Sequence, residues 1–280
     1  MMGVMVVDFV KMNGAGNDFI FMDNRSGVIN LDTEQVIRLC HRQRGIGADG
    51  LCMLIPCASK KADWAWEFYN SDGSVAEMCG NASRCFARYI QKITGQKSPI
   101  TFETGAGIIT ANIHDDYRVT INLTNPKGLA LNEKLPLSIG PTVVHSINTG
   151  VPHAVIFVPD ITRVPIMQLG PELRRHAHFG PKGTNVNFAQ VLSPGVIRVR
   201  TFERGVEGET LACGTGVTAT ALISSRVYGY ASPIKVWVQG GDSLEVHFKE
   251  SSSVFTDIHL NGPADFSFNG SVDIELACKK

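Results

Sequence analysis

The most regular pattern in the chain is an apolar stripe that follows Cys79. Apolar side chains recur there at intervals of three and four residues; they are Ala82, Cys85, Phe86, Tyr89, Ile90 and Ile93. This spacing predicts an amphipathic helix with one buried face, which Gly95 is expected to end. A second helix is expected between Cys213 and Gly229, where apolar residues are mixed with small Thr and Ser side chains. Because it has little polar face, we expect it to be buried on most sides.

Alternating apolar and polar residues around these two helices predict β-strands. The expected strands are 108–113, 118–123, 196–202, 234–238 and 244–248. Two shorter amphipathic helices are also expected. The first would be capped by Asp32 or Thr33, and the second would span 167–176, with Pro171 and Glu172 as its opening residues. The mixture of helices and alternating strands indicates an α+β protein.

The chain repeats this order of elements at a nearly constant offset. Eleven positions separate Phe68 from Cys79, and eleven separate Phe202 from Cys213. A turn followed by an apolar strand, at 13–23, recurs at 148–160. Similarity at matched spacing over so much of the chain indicates an internal duplication.

We therefore predict two homologous halves, 1–124 and 125–269, with a C-terminal strand at 270–280 that completes the first half. Each half is expected to be a mostly antiparallel or mixed sheet wrapped around a central helix, so that the halves are pseudo-symmetric. The repeated cysteines would then lie on opposite sides of a cleft between the halves, where we expect the active site.

Composition narrows the possible partners. The chain of 280 residues has 26 Lys and Arg and 26 Asp and Glu, so no charge excess favours nucleic acid or an anionic membrane. No apolar run is long enough to span a bilayer, and residues 1–9 lack the features of a signal peptide. The seven cysteines are too scattered for a disulfide framework. We expect a cytoplasmic protein with reduced thiols and with neither membrane nor nucleic acid as partner.

Cys79 and Cys213 each precede a glycine at the predicted start of a helix. A helix N-terminus lowers the pKa of a thiol and so favours the reactive thiolate. Its backbone N–H groups also bind carboxylates, and glycine lets a ligand approach them closely. Two such helix starts facing each other would hold one α-carboxylate and place a sulfur on either face of its α-carbon. One sulfur could then remove the α-proton while the other delivers a proton to the opposite face, which inverts the centre.

The remaining cysteines lack a comparable motif. They are Cys40, Cys52, Cys57, Cys85 and Cys278. We expect them to be small buried side chains, as most cysteines are. A zinc site that includes Cys79 and Cys85 fits poorly, because their spacing of six residues lacks a second pair of His or Cys ligands. No metal is therefore expected.

Seven short motifs, in order along nearly the whole chain, resemble the diaminopimelate epimerase family. They are GAGNDF at 14–19, GIGAD at 45–49, NSDGS at 70–74, MCGN at 78–81, GTNVN at 183–187, ERG at 203–205 and ACGTG at 212–216. The resemblance implies a cofactor-independent two-base epimerase that interconverts LL- and meso-2,6-diaminopimelate in lysine and peptidoglycan precursor biosynthesis. It also implies a small amino-acid substrate, no cofactor, a homodimer, and a fold of two pseudo-symmetric α/β halves with the active site between them.

By position, Cys79 and Cys213 match the two catalytic thiols of the family, the first as proton donor and the second as acceptor. These roles exchange when the reaction runs in reverse. Glu203 and His153 match polar residues that support catalysis. The substrate-binding positions of the family match Asn17, Asn70, Gly80, Asn81, Asn185, Glu203, Arg204, Gly214 and Thr215. From the residues alone, a structural role is favoured for His153, and turn or cap roles stay open beside binding roles for the asparagines; the assigned roles rest on the resemblance.

Two positions depart from the family pattern. Val151 stands where members often carry asparagine, and Gly50 stands where some carry glutamine. Contacts to the distal end of the substrate would then need backbone groups or water at these positions. Asn81 favours the diaminopimelate branch, because proline and hydroxyproline racemases usually carry histidine there.

Three alternatives stay open at this level. Another amino-acid racemase could use the same two thiols. A redox protein could instead join Cys79 and Cys213 in a regulatory disulfide. A similar isomerase fold with one acid in place of paired thiols fits less well, because both cysteines are present.

Overall fold

The computed structural model describes residues 5–277. The chain forms two compact units: the first runs to Ile121 and resumes at Pro263, and the second is Asn122–Gly262. The boundaries predicted from the sequence, 124/125 and 269/270, both lie a few residues beyond the observed boundaries, 121/122 and 262/263. Residues 278–280 lie outside the described residues, and with them the prediction for Cys278 and the end of the strand expected at 270–280.

The strands are numbered in chain order. They are β1 (Val6–Gly14), β2 (Asn17–Asp23), β3 (Gly50–Pro56), β4 (Trp64–Asn70), β5 (Ile100–Thr104), β6 (Gly107–Ile113), β7 (Val119–Asn122), β8 (Lys127–Leu137), β9 (Gly140–Asn148), β10 (Pro152–Phe157), β11 (Asn185–Ser193), β12 (Val196–Glu203), β13 (Gly208–Thr210), β14 (Ile234–Trp237), β15 (Ser243–Ser251), β16 (Val254–Gly262) and β17 (Asp265–Asp273).

The α-helices are shorter than the strands in total length. They are α1 (Thr33–Cys40), α2 (Gly80–Thr94), α3 (Ile166–Arg174), α4 (Gly214–Tyr228) and α5 (Ile274–Ala277), with 3₁₀ turns at Ile161–Arg163 and Ala177–Phe179. Within the described part of the chain, no helix is both long enough and apolar enough to cross a bilayer.

The two units have the same internal strand order. In the first, β1 pairs antiparallel with β17 and β2, β3 lies parallel to β2, and β4 antiparallel to β3. Strand β5 is parallel to β4, and β6 and β7 follow in antiparallel order. In the second, β9 pairs antiparallel with β8 and β10, and β11, β12, β14, β15 and β16 repeat the sequence parallel, antiparallel, parallel, antiparallel, antiparallel.

Strand β17 therefore has the position in the first sheet that β8 has in the second. A strand from the C-terminal end of the chain belongs to the first unit, although it starts earlier than expected from the sequence and α5 follows it. The predicted fold class, α+β with two similar halves each built as a mixed sheet around a helix, is confirmed.

Helix α2 forms the centre of the first unit. As predicted, its apolar stripe is buried: Phe86 and Ile90 are inaccessible to solvent. The helix packs on β1, β2 and β6, and the rings of Phe86 and Phe102 meet edge to face with centroids 4.9 Å apart. Burying one such side chain contributes about 1.5–3 kcal/mol, so tertiary packing stabilises this helix more than local propensity does.

Helix α4 occupies the corresponding place in the second unit. It is buried on most sides, as its sequence predicted. Both central helices begin directly after the repeated cysteines, because Cys79 and Cys213 are their N-cap residues. Both end at a glycine in the left-handed conformation, Gly95 with φ of 74° and Gly229 with φ of 72°.

Helix α1 begins as expected at an aspartate cap. Asp32 Oδ1 accepts a hydrogen bond from Gln35 N at 2.8 Å, and Asp32 N donates to Gln35 Oε1 at 2.9 Å. Two backbone N–H groups at the helix start are thus satisfied by a reciprocal capping box.

The span predicted for α3, 167–176, is close to the observed Ile166–Arg174, but the predicted opening residues are wrong. Pro165 is its N-cap and Ile166 its first residue, so that Pro171 and Glu172 lie inside the helix rather than at its opening. The physical reason is packing: the helical turn before Pro171 forms because it buries apolar residues at 166 and 169 on the same face as residue 173. This packing outweighs the loss of one backbone hydrogen bond at the proline.

Candidate active site

Each unit places one of the repeated cysteines at the start of a 15-residue helix. Cys79 and Cys213 have extended backbones and directly precede Gly80 and Gly214. The N–H groups of a first helical turn lack intrahelical acceptors, and the helix dipole is positive there. Cys79 is half-buried and Cys213 is 7% exposed. Each sulfur therefore belongs to a residue at a helix end that attracts anions.

Asn17 connects Cys79 to the first turn of α2. Its Oδ1 accepts a hydrogen bond from Asn81 Nδ2 at 3.2 Å and a long one from Cys79 Sγ at 3.8 Å. Its Nδ2 donates to Asp49 Oδ2 at 2.5 Å. Because a carboxylate only accepts, Nδ2 has to face Asp49, and Oδ1 therefore faces the thiol. The structure thus brings together three residues that the resemblance assigned to the site: Asn17, Cys79 and Asn81.

A buried arginine holds Asn81. Arg84 is inaccessible to solvent and donates to Asn81 Oδ1 at 2.9 Å, Gly80 O at 3.1 Å and Pro263 O at 3.2 Å. Since Asn81 Oδ1 receives the guanidinium, its Nδ2 is the end that faces Asn17. A buried charge is costly unless it is hydrogen-bonded, so these acceptors and the arginine hold the first turn of α2 in one arrangement.

Asp49 belongs to a charged cluster. Arg42 forms ion pairs with Asp18 at 2.8 Å and with Asp49 at 2.7 Å, and Lys11 pairs with Asp18 at 2.7 Å. Desolvation raises the pKa of Asp18, but hydrogen bonds from Arg42 and Lys11 outweigh it and hold that pKa at about 2. Asp18 is therefore ionised at neutral pH, and Arg42 joins it to the carboxylate that orients Asn17.

In the second unit, Cys213 is linked through Thr215 to His153. Cys213 Sγ lies 3.5 Å from Thr215 Oγ1, which lies 2.9 Å from His153 Nε2. Thr149 Oγ1 donates to the backbone oxygen of Thr215 at 2.9 Å. Three residues that the resemblance assigned to the site, Cys213, Thr215 and His153, thus form one contiguous group at the start of α4.

His153 is inaccessible to solvent. Desolvation, together with the positive charge of Arg204, lowers the pKa of its imidazole from 6.5 to about 3. The ring is therefore neutral at pH 7, and it contacts the Thr215 hydroxyl rather than solvent. Its connection to Cys213 runs through that hydroxyl.

Other assigned residues of the second unit lie where β11 begins and β12 ends. Asn185 Nδ2 donates to Pro152 O at 3.3 Å, and Asn185 Oδ1 accepts from Arg204 N at 2.8 Å. Glu203 Oε1 accepts from Thr210 Oγ1 at 2.5 Å. Asn185 therefore positions the backbone that carries Arg204, and Thr210 orients the neighbouring carboxylate.

Asn70 lies at the end of β4, opposite Gly50 on β3. Its Nδ2 donates to Ser74 Oγ at 3.0 Å, in the turn that follows the strand. A Cβ atom at position 50 would lie 2.7 Å from Tyr69 O and 2.8 Å from Phe68 Cε2. No side chain fits there without movement of the strand, so this chain requires the glycine that departs from the family pattern.

The other described cysteines mostly behave as expected. Cys40, Cys52 and Cys85 are buried, and desolvation raises the pKa of each, to about 12 for Cys40 and Cys85. They stay thiols at neutral pH. The prediction is wrong for Cys57, which is half-exposed beside Glu103 Oε2 at 3.3 Å because it follows the last residue of β3.

The sequence-based set lacked several residues of these networks, among them Asp49, Arg84 and Asn187. Two of them carried a signal. Arg84 interrupts the apolar run of α2 with a charge, and Asn187 places an amide between Val186 and Phe188 in β11, where it lies 3.1 Å from His153. By local pattern Asp49 carried little signal, because acidic residues are common in turns, although it ends the GIGAD motif of the resemblance. Among residues 5–277, no cluster of three His, Cys, Asp or Glu side chains could hold a metal ion.

The fold is similar to several solved structures. One is a phenazine biosynthesis protein of the PhzF family from Bacillus anthracis, with a TM-score of 0.74 and 14% identity over 96% of this chain and 99% of that one. Another is a hydroxyproline epimerase from Agrobacterium vitis, with a TM-score of 0.71 and 16% identity over 95% of this chain and 91% of that one. At such identities the similarity shows a shared fold.

Sequence comparison is more specific. A family model described as diaminopimelate epimerase matches residues 9–128 and 145–262. A relative of that name from Aquifex aeolicus (strain VF5) is 41% identical over 96% of this chain and 99% of its own length. One from Hydrogenobaculum sp. (strain Y04AAS1) is 38% identical over 95% of this chain and 98% of its own. With matches of this extent, the chain belongs to the diaminopimelate epimerase family and is an isomerase.

Proposed function

We propose that the chain is a cofactor-independent two-base epimerase that interconverts LL-2,6-diaminopimelate and meso-2,6-diaminopimelate. The observation that carries the proposal is the repeated placement of a cysteine at a helix N-terminus, Cys79 before α2 and Cys213 before α4. Membership of the family supports the choice of substrate. In this role the protein would act as a cytoplasmic homodimer in lysine and peptidoglycan precursor biosynthesis.

The proposed reaction moves two protons and forms no covalent intermediate. One sulfur begins as a thiolate and removes the proton from the α-carbon, which leaves a carbanion. The other begins as a thiol and donates its proton to the opposite face, so that the configuration inverts and the negative charge ends on the second sulfur. Cys79 and Cys213 exchange these roles when the direction reverses.

The first turns of α2 and α4 are the proposed binding site of the reacting α-carboxylate. Backbone N–H groups of Gly80, Asn81, Gly214 and Thr215 would donate to its oxygens, aided by both helix dipoles. As the α-proton leaves, negative charge spreads into the carboxylate. Donors placed there therefore stabilise the transition state more than the bound substrate.

The rest of the substrate requires groups that differ between the two units. Arg204 is the proposed partner of a substrate carboxylate, because a guanidinium binds carboxylates bidentately. Asn17, Asn70 and Asn185 would supply neutral donors and acceptors for the ammonium groups. Glu203 directly precedes Arg204 in the chain, and its carboxylate accepts a hydrogen bond from Thr210. It would support the proton transfer.

Exchange of the α-proton tests the reaction. We expect the reduced protein to incorporate deuterium at the α-carbon of LL-diaminopimelate in D₂O while meso-diaminopimelate forms, with no added cofactor. Separate Cys79→Ala and Cys213→Ala variants are each expected to lose epimerisation. Absence of exchange with the intact reduced protein would contradict the epimerase proposal, and full activity in either variant would contradict the use of two bases.

Substrate choice is tested in the same assay. Proline and glutamate, offered at equal concentration, are expected to exchange far more slowly than LL-diaminopimelate. Val151→Asn introduces the amide that family members often carry, and it is expected to change KM more than kcat. Equal exchange of proline and diaminopimelate would reassign the protein to another two-thiol racemase.

A further inference from the structure

We infer that Asn187 is a positioning residue that fixes the tautomer of His153 and thereby makes the Thr215 hydroxyl a hydrogen-bond donor to Cys213 Sγ. The inference rests on the proposed function only for its consequence in catalysis. The contacts on which it depends all lie within the second unit of the protein.

The orientation of the Asn187 amide is determined by its surroundings. Asn187 is inaccessible to solvent. Its Nδ2 lies 2.9 Å from Ala154 O and 3.1 Å from His153 Nδ1, and its Oδ1 accepts from Thr201 Oγ1 at 3.0 Å. The reverse orientation would place Oδ1 against the carbonyl oxygen of Ala154, where two acceptors repel. The two N–H bonds therefore point to Ala154 and His153.

This orientation selects one tautomer of His153. An amide nitrogen has no lone pair to accept with, so the contact forms only when His153 Nδ1 accepts from Asn187. The ring is neutral, because burial lowers its pKa to about 3. Its one proton is therefore on Nε2, the atom that lies 2.9 Å from Thr215 Oγ1.

The tautomer in turn sets the role of Thr215. Since His153 Nε2 donates to Oγ1, the hydroxyl accepts from the ring and its own proton is directed elsewhere. Cys213 Sγ lies 3.5 Å from this oxygen and can accept that proton. Hydrogen bonding to a charged form favours it, so a donor at this position stabilises the thiolate of Cys213. Asn187 thus acts on the sulfur through two intermediaries, with no need to touch the substrate.

Helix α4 approaches this amide closely. A Cβ atom on Gly216 would lie 2.4 Å from Asn187 Oδ1 and 3.3 Å from His153 Cε1. The glycine that follows Thr215 therefore lets the helix start lie directly on the Asn187 and His153 pair. The spacing of Cys213, Thr215 and Gly216 thus places the Thr215 hydroxyl beside the sulfur and lets α4 pack closely against Asn187 and His153.

The first test needs neither a substrate nor a variant. In the intact protein labelled with ¹⁵N-histidine, His153 is expected to show an unprotonated Nδ1 and a protonated Nε2 at pH 7. A protonated Nδ1, or an imidazolium, would overturn the inference. Because no diaminopimelate is present, the result is independent of whether the proposed function holds.

The second test measures the sulfur. The pH dependence of iodoacetamide alkylation of Cys213, read by peptide mass spectrometry, reports the thiolate. Asn187→Leu keeps the side-chain volume but removes the hydrogen-bond donor to His153. We expect His153 then to populate both neutral tautomers. We also expect the alkylation midpoint of Cys213 to rise by about one pH unit, the order of one hydrogen bond to a charged group. With diaminopimelate, kcat is expected to fall about tenfold, with KM nearly unchanged.

Thr201→Val is the matched control. It removes the hydrogen bond at the opposite end of the same amide, while Ala154 O remains the acceptor that keeps Nδ2 on the side of His153. We expect the tautomer and the alkylation midpoint of Cys213 to stay as in the intact protein. If Thr201→Val and Asn187→Leu shift the midpoint equally, or if Asn187→Leu changes the tautomer without moving the midpoint, the inference is wrong.

Discussion

Asp49 accepts a 2.5 Å hydrogen bond from Asn17 Nδ2, and this contact determines which atom of Asn17 faces Cys79. The carbonyl end of the amide accepts from Cys79 Sγ at 3.8 Å. In the second unit, Cys213 Sγ instead lies 3.5 Å from a hydroxyl. The repeated cysteines therefore have hydrogen-bond partners of opposite kind: a carbonyl favours the thiol of Cys79, and a donating hydroxyl favours the thiolate of Cys213.

Removal of Asp49 is expected to impair catalysis more than stability. In Asp49→Ala, Asn17 loses the acceptor that orients its amide, and we expect kcat for epimerisation to fall about tenfold, the effect of roughly one hydrogen bond. The measurement is steady-state kinetics together with urea unfolding. Asp23→Ala, which breaks an exposed ion pair with Arg25, is the control and should leave kcat unchanged. Equal losses in both variants would contradict an orienting role for Asp49.

Loss of Arg84 is expected to weaken the first turn of α2. Arg84→Met removes the guanidinium that donates to Asn81 Oδ1, Gly80 O and Pro263 O, and each hydrogen bond lost to a charged group costs about 1.5–3 kcal/mol. We expect a loss of at least about 2 kcal/mol in the free energy of unfolding, measured by urea denaturation. Lys97→Met, an exposed change just beyond the same helix, should cost less than about 0.5 kcal/mol. A neutral Arg84→Met would show that the buried guanidinium does not support this turn.

Gly216→Ala is expected to destabilise the protein, although helix propensity predicts the reverse. Alanine is favoured over glycine inside a helix by about 1 kcal/mol. Here, however, the added Cβ would lie 2.4 Å from Asn187 Oδ1, and such overpacking costs about 1–3 kcal/mol. Thermal unfolding should therefore show a lower Tm, and the ¹⁵N resonances of His153 should shift.

Thr220→Val is the control on the same helix. Among the described residues, the buried Thr220 hydroxyl has no hydrogen-bond partner. Its replacement by a methyl group of the same shape should be neutral or slightly stabilising. A higher Tm for Gly216→Ala than for the intact protein would show that α4 can move away from Asn187 at little cost.

Burial of neutral His153 is expected to make stability fall with acid. Its pKa in the folded protein, about 3, is below the ordinary value of 6.5, so the unfolded chain binds the proton more readily. This contribution is complete above pH 6.5 and is lost progressively as the pH falls toward 3. From these two pKa values, proton linkage lowers the free energy of unfolding by about 2 kcal/mol between pH 7.5 and pH 5.

The measurement is urea unfolding at several pH values with His153→Gln beside the intact protein. The variant is expected to be less stable at pH 7.5 and to lose less stability than the intact protein on going to pH 5. His247→Gln changes a side chain that is 44% exposed. Its free energy of unfolding should change with pH as steeply as that of the intact protein. Identical slopes for all three proteins would exclude a buried neutral His153 as the source.

Local patterns were sufficient for the main elements of this fold. The apolar stripe of α2, the small-residue content of α4 and the glycines at 95 and 229 depend on neighbours within a few positions, so periodicity predicts them. The N-cap positions of Cys79 and Cys213 follow for the same reason. Packing overrode the local signal at α3, where the turn before Pro171 joined the core.

The sequence by itself determined the α+β class, the internal repeat, the two cysteines at helix starts and the family, because each is written in short segments that repeat or match. Tertiary structure alone decided the orientation of Asn17 by Asp49, the contact of Arg84 with Pro263, and the tautomer of His153 set by Asn187. These depend on hydrogen bonds between residues far apart in the chain, and on desolvation, which is defined only when all the surrounding elements are in place.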